Sequence, residues 1–326
     1  MADPVAHDQD ERDERDERDE RDERDDEALA RAFQEHRSHL RSVAYRMLGS
    51  LSEADDAIQE AWFKVDRADS SQVANLGGWF TTIVGRVCLD MLRTRKTRRE
   101  APLEGPDGQV HVPDPIVGRV EVIDPEHEVM LADSVGLALL VVLETLAPAE
   151  RLTFVLHDMF GVSFEDVAVI VDRNPAAARK LASRARSRVQ GAAPAPDTDL
   201  VRKRAIVDAW LAASQNGDFE ALVSMLDPDV VLRADGGVGL AGVSKLIRGA
   251  QAVVEQALLF ARYAQFGQVV LINGAAGLVT APDGKAFSLT EFTIRDGVIV
   301  EINILADPDR LAGLRLPDFT PPHPFP

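Results

Sequence analysis

Residues 163–189, SFEDVAVIVDRNPAAARKLASRARSRV, constrain the chain more than any other stretch, because they read as two short helices joined by a tight turn. Ser163 can cap the first helix, Asp166 supports its first turn, and Val167, Ile170 and Val171 give it an apolar side. Asp172-Arg173-Asn174 then breaks the pattern. Asn174 is a good cap, and Pro175 suits the first helical position, where a backbone N–H would lack a partner anyway. In the second helix Ala178, Leu181, Ala185 and Val189 recur at helical spacing. The opposite side carries Ala176, Arg179, Lys180, Ser183 and Ser187, with Arg184 and Arg186 on its flanks. Small residues allow close approach to a groove, while cations and hydroxyls meet phosphates and base edges. The pattern is a helix-turn-helix with its second helix as the reader.

At 326 residues the chain has room for two or three domains with their own cores. Its single cysteine, Cys88, excludes a disulfide framework and a multi-cysteine zinc site. No apolar run approaches the ~20 residues that cross a bilayer, and the acidic amino terminus is no signal peptide. The expectation is a cytoplasmic protein with no membrane contact, no metal and no cofactor. A net charge of −18 argues against nucleic-acid binding until its distribution is seen. Residues 1–27 hold fifteen acids and five arginines, and five Asp-Glu-Arg repeats run from Asp10 to Arg24. That segment has almost nothing apolar to bury, so it reads as a disordered, solubilising tail. A sharper reading is a DNA mimic that competes for the chain's own basic faces. Those faces are two: Arg93, Arg95, Lys96, Arg98 and Arg99, and Arg179, Lys180, Arg184, Arg186 and Arg188. Two basic helical segments suggest two contacts along one polyanion.

From Glu27 to Arg99 the periodicity is helical, with breaks near Gly49-Ser50 and Gly77-Gly78. A first helix spans 28–48. A second, 52–65, has Ser52 as its expected cap and Asp55 and Asp56 at its positive end. Its apolar stripe, including Trp62, faces a core, and Asp55, Asp56, Gln59 and Glu60 form an outer face suited to docking a partner. A third helix, 76–95, buries Trp79 or Phe80 and offers Thr82, Arg86, Asp90 and Arg93 on its other side. An aromatic surface beside hydroxyls and cations is what an unstacked single strand requires, although a Trp-Phe pair in a helix is more often core.

After Gly191-Ala-Ala-Pro-Ala-Pro196 the pattern changes. Helices are expected at 201–215, 219–226 and 242–262, and strands at 230–234, 267–272, 276–281, 286–294 and 298–305. Asp283-Gly284 and Asp296-Gly297 are strong turn signals between antiparallel neighbours. Helices followed by a curled antiparallel sheet imply an α+β cone with a cavity at its open end.

The segments AYRMLGSLSEADDAIQEAWFKV (44–65), LGGWFTTIVGRVCLDMLRTRKTRR (76–99) and LETLAPAERLTFVLHDMFGVSFEDVAVIVDRNPAAARKLASRARSRV (143–189), in this order, resemble an extracytoplasmic-function sigma factor. The C-terminal pattern resembles the SnoaL-like, or nuclear-transport-factor-2-like, fold that one subgroup of that family carries. The resemblance implies a multidomain chain: all-α sigma domains, a helical bundle plus helix-turn-helix, followed by the α+β cone. Its expected divisions are an acidic tail (1–27), a core-polymerase and minus-ten domain (28–99), a linker (100–130), a minus-thirty-five domain (131–190), a second linker (191–197), a regulatory SnoaL-like domain (198–314) and a Pro-rich tail (315–326). It implies that Asp55, Asp56, Gln59 and Glu60 bind core RNA polymerase. Trp79, Thr82, Arg86 and Arg93 would open and read the minus-ten element. Arg173, Ala176, Arg179, Lys180, Ser183 and Arg184 would enter the major groove at the minus-thirty-five element. Asp235-Gly236-Gly237 and Asp307-Pro308-Asp309-Arg310-Leu311 resemble the subgroup's regulatory motifs, with Asp307 and Arg310 where the motif has Asn and Lys, and without its Trp-Leu-Pro-Glu-Pro linker motif. The partners implied are core polymerase and promoter DNA, duplex and melted, and the cone's cavity has room for a small ligand.

Two other readings fit parts of the chain: a ligand-responsive DNA-binding regulator, and a SnoaL-type isomerase or cyclase fused to a DNA-binding module. Catalysis needs a positioned acid or base. From Asp197 to Pro322 there is no histidine or cysteine and a single tyrosine, Tyr263, which leaves Asp235 as the nearest base, were its pKa raised.

Overall fold

The computed structural model describes residues 27–70, 73–97, 110–118, 136–192, 200–237 and 244–319. The acidic repeats, positions 98–109 and 119–135, residues 193–199, Val238, Gly239 and residues 320–326 lie outside them.

Helices α1 (27–48), α2 (Leu51–Asp66) and α3 (Leu76–Thr97) open the described chain. Phe33, Leu40, Val43, Ala44 and Met47 of α1 meet Ala54, Ile58, Ala61 and Val65 of α2 and Phe80, Val84 and Val87 of α3, one apolar stripe per helix. Helix α1 ends at Gly49, whose φ of +75° suits a left-handed stop and whose N–H bonds the Tyr45 carbonyl at 2.8 Å. The cap of α2 is Ser50 rather than Ser52: Ser50 Oγ accepts the Glu53 N–H at 3.5 Å, so Glu53 occupies the first turn in place of Asp55 and Asp56. Phe80, not Trp79, is the fully buried aromatic of α3.

The second helical set comprises α4 (Leu137–Thr145), α5 (Pro148–Thr153) with a π-helical turn (Phe154–Met159), α6 (Phe164–Ile170) and α7 (Pro175–Ala192). Leu140, Leu143, Leu152, Val155, Val167 and Ile170 bury in the same cluster as the first three helices, so the two sets share one core. Gly85 marks the seam: a Cβ there would lie 3.3 Å from Leu156 Cδ1 and 3.6 Å from Leu152 Cδ1.

The C-terminal unit runs α8 (Leu200–Asn216), α9 (Phe219–Ser224), β2 (Leu226–Asp235), β3 (Lys245–Arg248), α10 (Ala250–Leu259), α11 (Ala261–Ala264), β4 (Gly267–Ile272), β5 (Ala275–Thr280), β6 (Ser288–Arg295), β7 (Val298–Leu305) and α12 (Pro308–Gly313), with β1 (Val117–Gly118) contributed from upstream. The sheet order is β1-β4-β5-β6-β7-β2-β3. Two expectations need correction. The helix expected over 242–262 begins only at Ala250, because Lys245–Arg248 pairs with Val231–Ala234 and Gly249, at φ +90°, turns the chain into α10. The sheet is mixed, since β2 runs parallel to β7. The hairpin turns behave as read: Asp296 (φ 54°) and Gly297 (φ 85°) both take the positive φ that a tight turn of this hand demands.

One face of the sheet buries Leu278, Phe292, Ile294 and Ile302 beneath Val207 and Trp210 of α8. The other buries Val270, Ile272, Val279, Leu289 and Leu305 with Val117 and Leu311. Helix α4 is apolar on every side for a reason visible here. Its Leu137, Leu140 and Leu143 enter the helical core, while Ala138, Val141 and Val142 are buried outside it and the helix lies against β7.

Candidate nucleic-acid interface and the linker clamp

Local chemistry builds the helix-turn-helix. Ser163 Oγ accepts the Asp166 N–H at 3.1 Å, and Asn174 Oδ1 accepts the Ala177 N–H at 2.8 Å, so both helices are capped by side chains. Asp172 takes φ 56° at the turn. Ala178, Ala182 and Ala185 are fully buried and bring α7 close to its support. Arg173, Ala176, Arg179, Lys180, Ser183 and Arg184 are all exposed, on one continuous surface. The cations there are not equivalent. Arg186 pairs with Asp158 at 2.5 Å and Arg188 with Glu150 at 2.7 Å, which ties α7 to the elements behind it. Arg179 pairs with the exposed Glu165 at 3.0 Å and lies over the Phe164 ring. Among the described residues, no ion pair holds Lys180 or Arg184, leaving both for an external anion.

On α3, Trp79 is half-buried beside Phe80, ring centroids 5.5 Å apart. Thr82 donates its hydroxyl to the Gly78 carbonyl at 2.9 Å, so it faces a ligand only as an acceptor. Arg86 and Arg93 are exposed, Arg93 lying 3.5 Å from Asp90. At helical spacing these four residues lie along one side of α3. On α2, Asp56, Gln59 and Glu60 are exposed; Glu60 pairs with Lys64 at 3.0 Å. Asp55 is only half-exposed and is gripped by Arg41 at 2.6 and 2.9 Å, a fork that draws it into the fold.

The feature that sequence reading missed is the clamp on residues 110–118. Expected as a connector, this stretch is buried almost throughout and touches every other unit. From the first helical set, Gly49 O accepts the Asp114 N–H at 2.8 Å and the Tyr45 hydroxyl donates to Asp114 O at 2.5 Å. From the cone, Asn273 Oδ1 accepts the Ile116 N–H at 2.7 Å, its own N–H donates to Ile116 O at 2.8 Å, and its Nδ2 donates to Tyr45 Oη at 3.3 Å. Asp235 Oδ2 accepts the Val112 N–H at 2.9 Å. β1 then joins the sheet edge, Val117 opposite Ile272.

Arg310 crosses this junction. It donates to Asp114 Oδ1 at 2.8 Å, Asp235 Oδ2 at 2.7 Å and the Val112 carbonyl at 2.5 Å. Its aim depends on the residues around it. Asp307 caps α12 by accepting the Asp309 and Arg310 N–H groups, and Gly237, at φ +66°, makes room for the Asp307 carboxylate, which a Cβ would strike. The motif position that holds lysine in the resembling subgroup thus carries a guanidinium that serves three acceptors. Pro308 opens α12, while Asp309 is exposed. Gly236 donates its N–H to Ser244 Oγ at 3.1 Å.

Charge in the clamp is shared across three units. His111 lies 3.3 Å from Asp235 Oδ2 and 3.7 Å from the buried Glu144 Oε1 of α4. Burial opposes the imidazolium charge, but the Asp235 hydrogen bond and the Glu144 field outweigh it and raise the His111 pKa. Burial raises the Glu144 pKa despite His111 and Arg151 nearby. At Asp235, burial is outweighed by His111, the Val112 N–H and Arg310, and its pKa is lowered. Asp235 is therefore an anchoring anion and not the raised-pKa base that catalysis would need.

The cone's cavity, ≈160 Å³, is walled by Trp210, Leu232, Phe260, Tyr263, Phe287 and Ile302. Among the described residues, no cluster of three or more His, Cys, Asp or Glu side chains could hold a metal, and no helix is long and apolar enough to cross a membrane.

Comparison with known proteins agrees with this layout. Residues 32–98 match the Sigma-70 region 2 family, and residues 136–189 match Sigma-70, region 4. The chain is 38% identical over 295 residues to the ECF RNA polymerase sigma factor SigJ of Mycobacterium tuberculosis, covering 86% of this chain and 92% of that one. It is 31% identical over 291 residues to the probable ECF RNA polymerase sigma factor SigI of the same species, covering 87% and 95%. The crystal structure of M. tuberculosis SigJ is similar, with a TM-score of 0.71 at 36% identity over 88% of this chain and 100% of that one.

Proposed function

The chain belongs to the extracytoplasmic-function sigma factors, and from that premise we propose how its surfaces divide the work of bringing core RNA polymerase to a promoter. A sigma factor is no enzyme: it binds polymerase and promoter DNA and lets initiation begin. In this reading Asp56, Gln59 and Glu60, with Asp55 once Arg41 releases it, dock core polymerase. Trp79, Thr82, Arg86 and Arg93 hold the melted minus-ten strand, where capture of an unpaired base offsets an unstacking cost of a few kcal/mol per step. Lys180 and Arg184, with Arg173, Ala176, Arg179 and Ser183, sit in the minus-thirty-five major groove. The work is done in the cytoplasm, where polymerase is.

The observation that carries the regulatory part is the shared core. Two promoter elements that their names set about 25 base pairs apart lie on the order of 85 Å apart along B-DNA. Helices α3 and α7 belong to one apolar cluster, joined at Gly85, and cannot span that distance as they stand. The described form is thus closed, and the C-terminal domain keeps it closed in cis by gripping residues 110–118 through Asp235, Asn273 and Arg310. Donor and acceptor dyes at Thr94→Cys and Gln190→Cys test this, since Cys88 is buried and does not label. The dyes should separate when core polymerase and promoter are added. An initiating complex that keeps the short distance would end the proposal.

The cavity supplies a second element of regulation. It is about the size of engineered apolar cavities that bind benzene, and its walls fit a neutral aromatic molecule of that scale. Indole added to the full chain should raise its melting temperature, and an unchanged melting curve removes the ligand from the scheme.

A further inference from the structure

Closure forbids the two readers from acting together, but it leaves α7 bare. Lys180, Ser183, Arg184 and Ser187 are exposed in the closed form, and no acid occurs from Pro175 to Gln190. A free subunit in this state still offers duplex DNA one cationic helix. We infer that the Asp-Glu-Arg repeats, Asp10 to Arg24, occupy that face of α7 in the free subunit and compete there with DNA phosphates. The inference rests on α7 being the DNA-facing helix.

Charge selects this face among those described. The outer face of α2 is acidic and repels the repeats, and α3 offers a sparser cationic face than α7, with Arg86 exposed and Arg93 beside Asp90. Beside α7 the surface is mixed: Lys180 and Arg184 lie free of ion pairs, while Glu165 and Asp166 are exposed in the first turn of α6. A partner with two acids and one arginine in every three residues answers both signs, acids toward α7 and arginines toward α6.

Reach permits it. The repeats end three residues before Glu27, where α1 starts. From Glu27 to His39 the helix rises about 18 Å. The His39 ring meets Phe160 at 5.0 Å, and Asp158, two residues away, bonds Arg186 of α7. Allowing for side-chain lengths, that path totals at most about 50 Å, against about 56 Å for the 17 extended residues from Asp10 to Asp26, so the leading repeats are the ones that reach α7. Tethering on such a length supplies an effective concentration near millimolar, enough for individually weak ion pairs to compete with non-specific DNA.

The test uses the full chain without polymerase. In one variant the ten acids of the repeats become Asn and Gln and their five arginines become Gln, so that the repeats carry no charge; in a second, Lys180→Ala and Arg184→Ala are added. The neutral-tail chain should bind a short non-promoter duplex about tenfold more tightly at low salt, and the two alanines should abolish that gain. Equal affinity of the native and neutral-tail chains overturns tail docking while leaving α7 as the reader, provided the alanines still weaken binding. Alanines without effect in either chain overturn both. A gain that persists with the alanines present shows long-range repulsion rather than docking and overturns the inference. Zero-length carbodiimide coupling gives a readout independent of DNA: tail carboxylates should join Lys180 ahead of the exposed Lys64, Lys245 and Lys285. Coupling spread evenly over those lysines also overturns it.

Discussion

Arg310→Ala is the sharpest probe of the clamp, because that side chain donates to two linker acceptors, Asp114 and the Val112 carbonyl, and to Asp235 of the cone. Its side chain is 21% exposed and those of its partners Asp114 and Asp235 are 11% and 6% exposed, so all three charges sit in a largely dry site. Removing one member of such a set leaves carboxylates desolvated without their cation, which costs roughly 3–5 kcal/mol. Asp235 keeps the Val112 and Gly237 N–H groups as donors, so the lower end, about 3 kcal/mol, applies. At 1.4 kcal/mol per decade, the linker equilibrium moves about a hundredfold toward release. Hydrogen exchange at Val112 and Ile116 reads this directly, because both amides end on cone side chains. Their protection should fall by about that factor while Phe292 and Ile302 in the cone keep theirs. Adding Asp114→Ala should restore part of the loss, since one stranded carboxylate is gone. Unchanged exchange at both amides would refute the clamp. A loss spread over the whole cone would make Arg310 a residue of the cone's own fold.

Gly237→Ala should cost about 1–3 kcal/mol through its positive φ and its clash with Asp307, and should deprotect the Asp309 and Arg310 amides first; a silent variant would mean Asp307 aims nothing. Asp56→Lys should weaken core-polymerase binding about tenfold or more at constant melting temperature, as like charges meet across the interface, and undiminished affinity removes Asp56 from it. Asp55→Lys should in addition destabilise the fold by up to about 1 kcal/mol through loss of the Arg41 pair. Burial raises the Glu291 pKa from 4.5 to about 7, so the folded state holds that proton more tightly than the unfolded state does. The resulting penalty is absent below the unfolded pKa and grows as pH rises to the folded one. Glu291→Gln should therefore gain stability over the native chain between pH 5 and pH 8, and parallel pH profiles in thermal melts would contradict this.

What the sequence disclosed follows from how local each signal is. Ser163, Asn174 and Pro175 act within one helical turn of themselves, so the helix-turn-helix could be read residue by residue. The Asp-Gly turns were equally legible, because positive φ is a demand on single residues. Strand β3 was not: Lys245–Arg248 is committed to the sheet by pairing with Val231–Ala234, and its apolar content also fits a helix. The clamp was least legible, since Ile116 and Asn273 are 157 residues apart and neither carries a motif. One sign was present, an Asn273-Gly274 pair between two strand-like runs, but a turn signal does not announce that its side chain grips another segment. The regulatory motifs drew attention to Asp235 and residues 307–310, which the structure places against or beside residues 110–118, without saying what they hold.

The two devices that would hold the proposed closed form differ in kind, and that difference orders the steps of opening. The clamp is mixed: freeing Asp114, Asp235, His111 and Arg310 returns charges to water, and solvation recovers much of what those contacts provided, while Val112, Ile116 and Val117 leave apolar clusters. The seam at Gly85 is apolar, and parting α3 from Leu152, Leu156 and Ile170 exposes surface that water does not repay. Releasing residues 110–118 frees a few apolar side chains and separating the helical sets frees many, so the first is the lower barrier. A broken clamp alone should leave α3 and α7 together, with the dye distance between them short until a partner covers the exposed apolar face. In the proposed scheme core polymerase is that partner, and the clamp would set how readily the linker lets polymerase begin to part the helices.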